Sequence, residues 1–169
     1  MTMYATVDSP LGELLLVGEE DAGAGGGIAL ASLSLPGQKG AAVVRDGWVH
    51  APDAFVGIAA QLREYFAGRL TRFDIVYADG AGTEFQRRVW AALDTVPYGE
   101  TVSYGWIAER AGASGAGVRA VGTAIGRNPL LVVRPCHRVI GADGSLRGYA
   151  GGLERKERLL RLEGALVVR

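Results

Sequence analysis

The chain holds a single cysteine, Cys136, in the run Arg134-Pro135-Cys136-His137-Arg138. A cysteine attacks as its thiolate, and a free thiol is little ionised at neutral pH unless a base or a positive charge lies close. His137 and Arg138 supply an adjacent base and an adjacent cation, and a proline-led turn can direct both toward one pocket. An imidazole that takes a proton needs a third group to orient it. Glu163, in the last helical segment, fills that role if the segment returns to the pocket. The chemistry on offer is nucleophilic attack by Cys136. Against it stand the ordinary fates of such residues, inert core for a lone cysteine among apolar neighbours and a solvated helix end for Glu163.

Other chemistries are poorly supplied. One cysteine makes no internal disulfide, and one cysteine with two histidines, His50 and His137, makes a poor metal cage, so neither metal nor cofactor is expected. No run of eighteen apolar residues exists to cross a membrane, and the start Met1-Thr2-Met3-Tyr4 lacks the basic-then-apolar order of a secretory signal. The expectation is a cytoplasmic protein. Net charge is zero, yet residues 1–82 hold five Lys/Arg against ten Asp/Glu and residues 83–169 hold thirteen against eight. The basic second half is rich in arginine, whose planar fork of donors suits phosphate, although charge alone does not make a neutral chain a nucleic-acid binder.

The elements that must position these residues follow from periodicity. Apolar runs at Tyr4–Val7 and Leu14–Val17 around Asp8-Ser9-Pro10-Leu11-Gly12 read as a hairpin, Glu19 to Gly27 as a loop, and Ile28–Leu35 as a further strand. No clear element is expected between Gly37 and Asp53. From Asp53, the residues Phe55, Ile58, Leu62, Tyr65 and Phe66 recur at helical spacing up to Gly68, and Phe73–Tyr77 reads as a last strand. Small and polar residues from Ala78 to Gly82 form a linker, dividing the chain into residues 1–82 and 83–169.

In the second part, Thr83 with Gln86 fits a capping box, opening a helix that Pro97-Tyr98-Gly99 ends. Ser103 caps a second helix running to Ala111, and a third runs from Val118 to Ile125 after the turn Ala113–Gly117. This is a helix-turn-helix pattern, which by itself also describes many helix pairs that bind nothing. The apolar run Leu130–Val133 reads as a buried strand ending at Cys136. A glycine-rich loop, Gly141–Gly152, leads to a final helix from Leu153 to Glu163, whose Glu154–Arg158 and Glu157–Arg161 spacings suit surface ion pairs.

Taken together, Pro135-Cys136-His137-Arg138-Val139, the upstream Arg119-Ala120-Val121-Gly122 and Asn128-Pro129, and Gly148-Tyr149-Ala150-Gly151-Gly152-Leu153 closely resemble the O6-alkylguanine-DNA alkyltransferase family. The likeness covers residues 83–169 in detail. The first part matches loosely, through Ser9-Pro10-Leu11-Gly12 and Tyr65-Phe66. The resemblance implies an α/β amino-terminal domain with a ribonuclease-H-like sheet, and a mainly helical carboxy-terminal domain with a helix-turn-helix. The implied activity is a single, irreversible transfer of an alkyl group from O6 of guanine, or O4 of thymine, in double-stranded DNA to Cys136, by a protein that is a monomer without DNA.

It also implies roles. Cys136 is the acceptor, His137 the base acting through a bound water, and Glu163 the carboxylate that holds His137. Tyr104 donates a proton as guanine leaves, and Asn128 holds the turn before the active-site strand. Arg119 fills the gap left by a flipped nucleotide, with Ala120 and Gly122 allowing close approach and Arg127 on the same DNA face. Val139, Tyr149, Ala150, Gly151 and Gly152 wall the base pocket.

Four departures from the family pattern stand out. Ala150 replaces a common serine, Arg134 puts a charge where a buried apolar residue is usual and needs a partner, the turn Ala113–Gly117 is one residue longer, and Val118 replaces an alanine. Two other classes compete with the transfer reading. A thiol hydrolase would use Cys136, His137 and Glu163 but leave Arg119 idle, and a damage-binding module without chemistry would not need Cys136.

Overall fold

The computed structural model describes residues 1–113 and 117–165. The chain falls into two compact units, Met1–Ala81 and Gly82–Arg169.

In the first unit, strands β1 (Thr2–Ser9) and β2 (Gly12–Glu20) form an antiparallel hairpin, paired from Ser9 with Gly12 to Thr2 with Glu19. Ser9 fixes the two-residue turn, its Oγ donating to the Gly12 carbonyl and accepting from Leu11 N–H. Alternation sets the register, since Met3, Ala5, Leu14 and Leu16 are buried on one side. Strand β3 (Ile28–Ser34) pairs antiparallel with β2 across a bulge at Val17/Gly18. A Cβ on Gly18 would stand 2.9 Å from the backbone oxygen of Ala29 and 2.7 Å from Ile28 Cγ1, so any side chain there would force the strands to shift. The short β4 (Val49–His50) lies parallel to β1, giving the order β3-β2-β1-β4. A 3-10 turn (Pro52–Phe55) leads into helix α1 (Val56–Phe66), which buries Ile58, Leu62 and Tyr65.

Three expectations need correction here. Glu19 and Glu20 belong to β2 rather than to the loop. Val49–His50 is a strand too short to show alternation. Phe73–Tyr77 is not a strand: only the bridge between Leu30 and Tyr77 forms. The Gln61 side chain binds both the N–H and the carbonyl of Asp74. Helix α1 thereby satisfies backbone groups that a ladder would otherwise use.

The second unit opens with α2 (Glu84–Leu93), where the Thr83 and Gln86 side chains cap each other's backbone N–H. It ends at Leu93, earlier than the Pro97-Tyr98-Gly99 stop expected. Strand β5 (Val102–Ser103) runs into α3 (Tyr104–Arg110), capped by Ser103 Oγ accepting from Trp106 N–H, with Gly112 at φ 68° beyond its end. Helix α4 (Val118–Gly126) packs on both α2 and α3. Buried Trp90 of α2 donates from Nε1 to the Ala124 carbonyl of α4, 2.9 Å away. The expected lengthening of the 113–117 turn falls on residues 114–116, outside the described residues. Strand β6 (Val139–Ile140) pairs parallel with β5, and α5 (Leu153–Leu162) closes the unit.

Candidate active site

Cys136 does not end a strand. It opens a 3-10 turn (Cys136–Arg138) that leads into β6. The preceding segment cannot extend because it is folded on itself, with Val133 N–H bonded to the Leu131 carbonyl, Arg134 N–H to Leu130 and Cys136 N–H to Arg134. Asn128, 2% exposed, holds this coil from within. Its Oδ1 accepts from Leu130 N–H at 3.0 Å, and its Nδ2 donates to the carbonyls of Arg134, at 3.2 Å, and Leu130, at 3.4 Å. Val132 sits in the coil at φ 70°, a left-handed conformation that a β-branched residue rarely adopts.

The turn brings three buried side chains together. His137 is fully buried, and its Nε2 lies 2.8 Å from Glu163 Oε2 at the carboxyl end of α5. Arg138 donates from Nε to Glu163 Oε1 at 2.7 Å and from Nη2 to Oε2 at 3.0 Å, while its Nη1 donates to the Val96 carbonyl at 2.6 Å. An arginine N–H and the histidine ring thus share one carboxylate oxygen. A carboxylate only accepts, so Nε2 carries the hydrogen and Nδ1 the lone pair. His137 Nδ1 is buried and meets no hydrogen-bond partner among the described residues.

Electrostatics in this pocket balance burial against pairing. Burial pushes the Glu163 carboxyl up, but the hydrogen bonds and charges of His137 and Arg138 outweigh it and hold the pKa at about 2. Burial pulls His137 below its ordinary value despite Glu163, so the imidazole is neutral. The Cys136 thiol, 4% exposed, is pushed up to about 11 by burial, opposed by an Asn128 hydrogen bond and by the charges of Lys156 and Arg134. The resting site therefore holds a protonated thiol and, on the next residue, a neutral imidazole.

The remaining residues singled out in the sequence fall around this pocket or along α4. Tyr104, the first residue of α3, follows strand β5, which pairs parallel with β6 just beyond the cysteine turn. Tyr104 is half-buried, and burial followed by the nearby Cys136 raises its hydroxyl pKa. Gly122 of α4 faces that ring, a Cβ there lying 3.9 Å from Tyr104 Cε1. Val139 is fully buried. The Tyr149 hydroxyl is buried without a hydrogen-bond partner that meets full geometry among the described residues, and burial raises its pKa well above the ordinary value. Ala150 and Gly151 follow it, and Gly152 at φ 94° caps α5. Arg119 and Arg127 are exposed at the start and end of α4, with Ala120 half-buried between them. Arg134 has the partner it needed, its Nε 3.3 Å from Asp94 Oδ1 and its guanidinium 5.3 Å over the Trp90 ring.

Sequence reasoning missed Lys156, which is fully buried against this site. The signal was present: Lys156 occupies the buried face of α5 at helical spacing with Leu159, Leu160 and Glu163.

A sheet unit and a helical unit, the latter burying one thiol next in sequence to a histidine–carboxylate pair, put the chain in the class of two-part proteins with a single buried cysteine on a helix-turn-helix scaffold. Two family models match it: 6-O-methylguanine DNA methyltransferase, DNA binding domain, over residues 84–165, and 6-O-methylguanine DNA methyltransferase, ribonuclease-like domain, over residues 2–77. The chain belongs to the 6-O-methylguanine DNA methyltransferase family. The methylated-DNA–protein-cysteine methyltransferase of Mycolicibacterium paratuberculosis is 55% identical over 163 residues, 96% of this chain and 93% of that relative. That of Methanosarcina acetivorans is 47% identical over 162 residues, 96% of this chain and 98% of that relative. The crystal structure of Mycobacterium tuberculosis OGT in complex with DNA is similar at 50% identity and TM-score 0.84, over 96% of this chain and 93% of that one.

Proposed function

We propose that this protein reverses alkylation damage directly, taking an alkyl group from O6 of guanine in duplex DNA onto Cys136 Sγ in one irreversible transfer. The observation that carries the reading is Cys136 buried in one unit with a neutral imidazole whose Nδ1 meets no partner among the described residues and whose Nε2 is held by Glu163.

The target carbon cannot be reached in line within a base stack, so the nucleotide must be flipped out, at a cost of a few kcal/mol. Exposed Arg119, at the first turn of α4, is placed to occupy the vacated position. Val139, Tyr149, Ala150, Gly151 and Gly152 form the pocket wall in this reading, the Ala150 N–H standing in for the hydroxyl that a serine would offer. His137 Nδ1 takes the Cys136 proton, directly or through one water, and Glu163 stabilises the imidazolium. Sγ then attacks the alkyl carbon. The S–C bond forms as the C–O6 bond breaks, and the departing guanine takes a proton from Tyr104. A thioether has no internal route back, so each molecule acts once. Among the described residues no helix is long and apolar enough to cross a membrane, and we place the protein in the cytoplasm with its DNA.

Intact-mass spectrometry tests this directly. Wild type incubated with excess duplex containing O6-methylguanine should gain one methyl group, mapped to Cys136, and Cys136→Ala should gain none. An unmodified wild type that still binds the duplex would leave damage binding without transfer.

A further inference from the structure

Lys156 is a buried ammonium with no use in the mechanism above. Its Nζ donates to the carbonyls of Arg147, at 3.1 Å, and Gly148, at 3.3 Å, which ties the pocket loop to α5. An ammonium has three donors. Among the described residues the third meets no acceptor, and no carboxylate pairs with Lys156. The neighbouring charges are already matched, Glu163 by Arg138 and Asp94 by Arg134. His137 and the resting thiol are neutral. A buried cation without an anion is costly, by several kcal/mol in general, and the cost falls when an anion arrives. Helix α5 packs on the 3-10 turn that Cys136 opens, and both side chains are buried in that unit. The charge of Cys136 raises the proton affinity of Lys156, which burial lowers to a pKa of about 8.

We propose that Lys156 is the counter-ion for whatever negative charge stands at Cys136 Sγ, and so a specificity-determining residue favouring alkyl groups that carry a carboxylate over neutral groups of equal size. The inference rests on the transfer reading and deepens it. Before attack, the anion is the thiolate. When a carboxymethyl group is transferred, S–C forms, C–O6 breaks, guanine leaves with a proton, and the carboxylate remains on Sγ beside Lys156. A neutral group leaves the ammonium unmatched.

Single-turnover rates on duplexes carrying O6-carboxymethylguanine or the near-isosteric, neutral O6-carbamoylmethylguanine test this. The ratio of the two rates should fall tenfold or more from wild type to Lys156→Met, and Lys156→Arg should retain most of it. Loss of the loop tether alone would slow both substrates alike, and an unchanged ratio overturns the proposal. A second readout needs no variant: wild type carrying S-carboxymethyl-Cys136 should melt above wild type carrying the S-carbamoylmethyl group, and equal melting or the reverse order also overturns it. Wild type that binds both duplexes and transfers from neither would refute the transfer reading itself.

Discussion

His137 Nε2 and Glu163 Oε2 are 2.8 Å apart, and the same oxygen accepts a hydrogen bond from Arg138 Nη2. One carboxylate therefore fixes the tautomer of the imidazole and the position of the arginine, and is itself kept ionised by both. Removing its charge strands Arg138 at a buried site. Glu163→Gln should destabilise the protein by about 3 to 5 kcal/mol, the usual result of breaking a buried pair from one side. Urea unfolding measures this, and a loss below 1 kcal/mol would mean that water reaches the pair.

The same pair predicts an acid limb in stability. Glu163 titrates at about 2 in the folded chain against an ordinary 4.5, so its contribution is complete above pH 4.5 and is lost as pH falls through 2. That difference corresponds to about 3 kcal/mol at 1.36 kcal/mol per unit. His137 adds a second limb of the same sign. Its folded pKa lies below 6.5, so the unfolded chain binds the extra proton and stability begins to drop as pH falls below 6.5. Stability measured from pH 8 to 3 should decline in wild type and be flatter in Glu163→Gln over the lower part.

His137→Asn should slow methyl transfer roughly 10² to 10⁴-fold, the usual contribution of a positioned base. Affinity for the alkylated duplex should stay near that of wild type. Weakened binding with an unchanged transfer rate at saturating duplex would put His137 in DNA recognition instead.

Arg119→Ala should leave stability within about 0.5 kcal/mol of wild type, because the side chain is exposed. If Arg119 replaces the flipped base, the variant should transfer from duplex DNA at least tenfold more slowly yet react almost normally with a free alkylated base. Equal slowing on both would place its effect in the pocket.

Val132 and Val133 offer a paired test of backbone strain. Both are buried, at 1% and 6% exposure, but only Val132 has a positive φ, of 70°. Substitution by glycine costs buried methyl groups at both sites and relieves about 1 to 2 kcal/mol of left-handed strain at Val132 alone. Val132→Gly should therefore be the milder variant by about that amount, measured by thermal unfolding.

The hairpin, α1, the Thr83 capping box and the Ser103 cap were legible in the sequence because each is a local pattern, set by alternation, helical spacing or a side chain reaching its own backbone. The types and order of Cys136, His137 and Glu163 were legible too, since proline before the thiol and histidine after it already define what chemistry is available. The path into the site was not. Leu130–Val133 has the composition of a strand, yet the buried Asn128 side chain captures the carbonyls that a strand would present to a neighbour. Likewise, nothing local tells that Arg134 would find Asp94 and Trp90, or that Arg138 would take Glu163 with two donors. These pairings join residues far apart in sequence, and they exist only because the unit brings the segment before Cys136 against the end of α2 and folds α5 back against the cysteine turn. Cys136, the histidine after it and the helices that display Arg119 could be read from the chain alone, because each is a local pattern. Which charges are matched was decided by the packing of α2, α5 and the cysteine turn, because burial forces each charged group to find its partner within the protein.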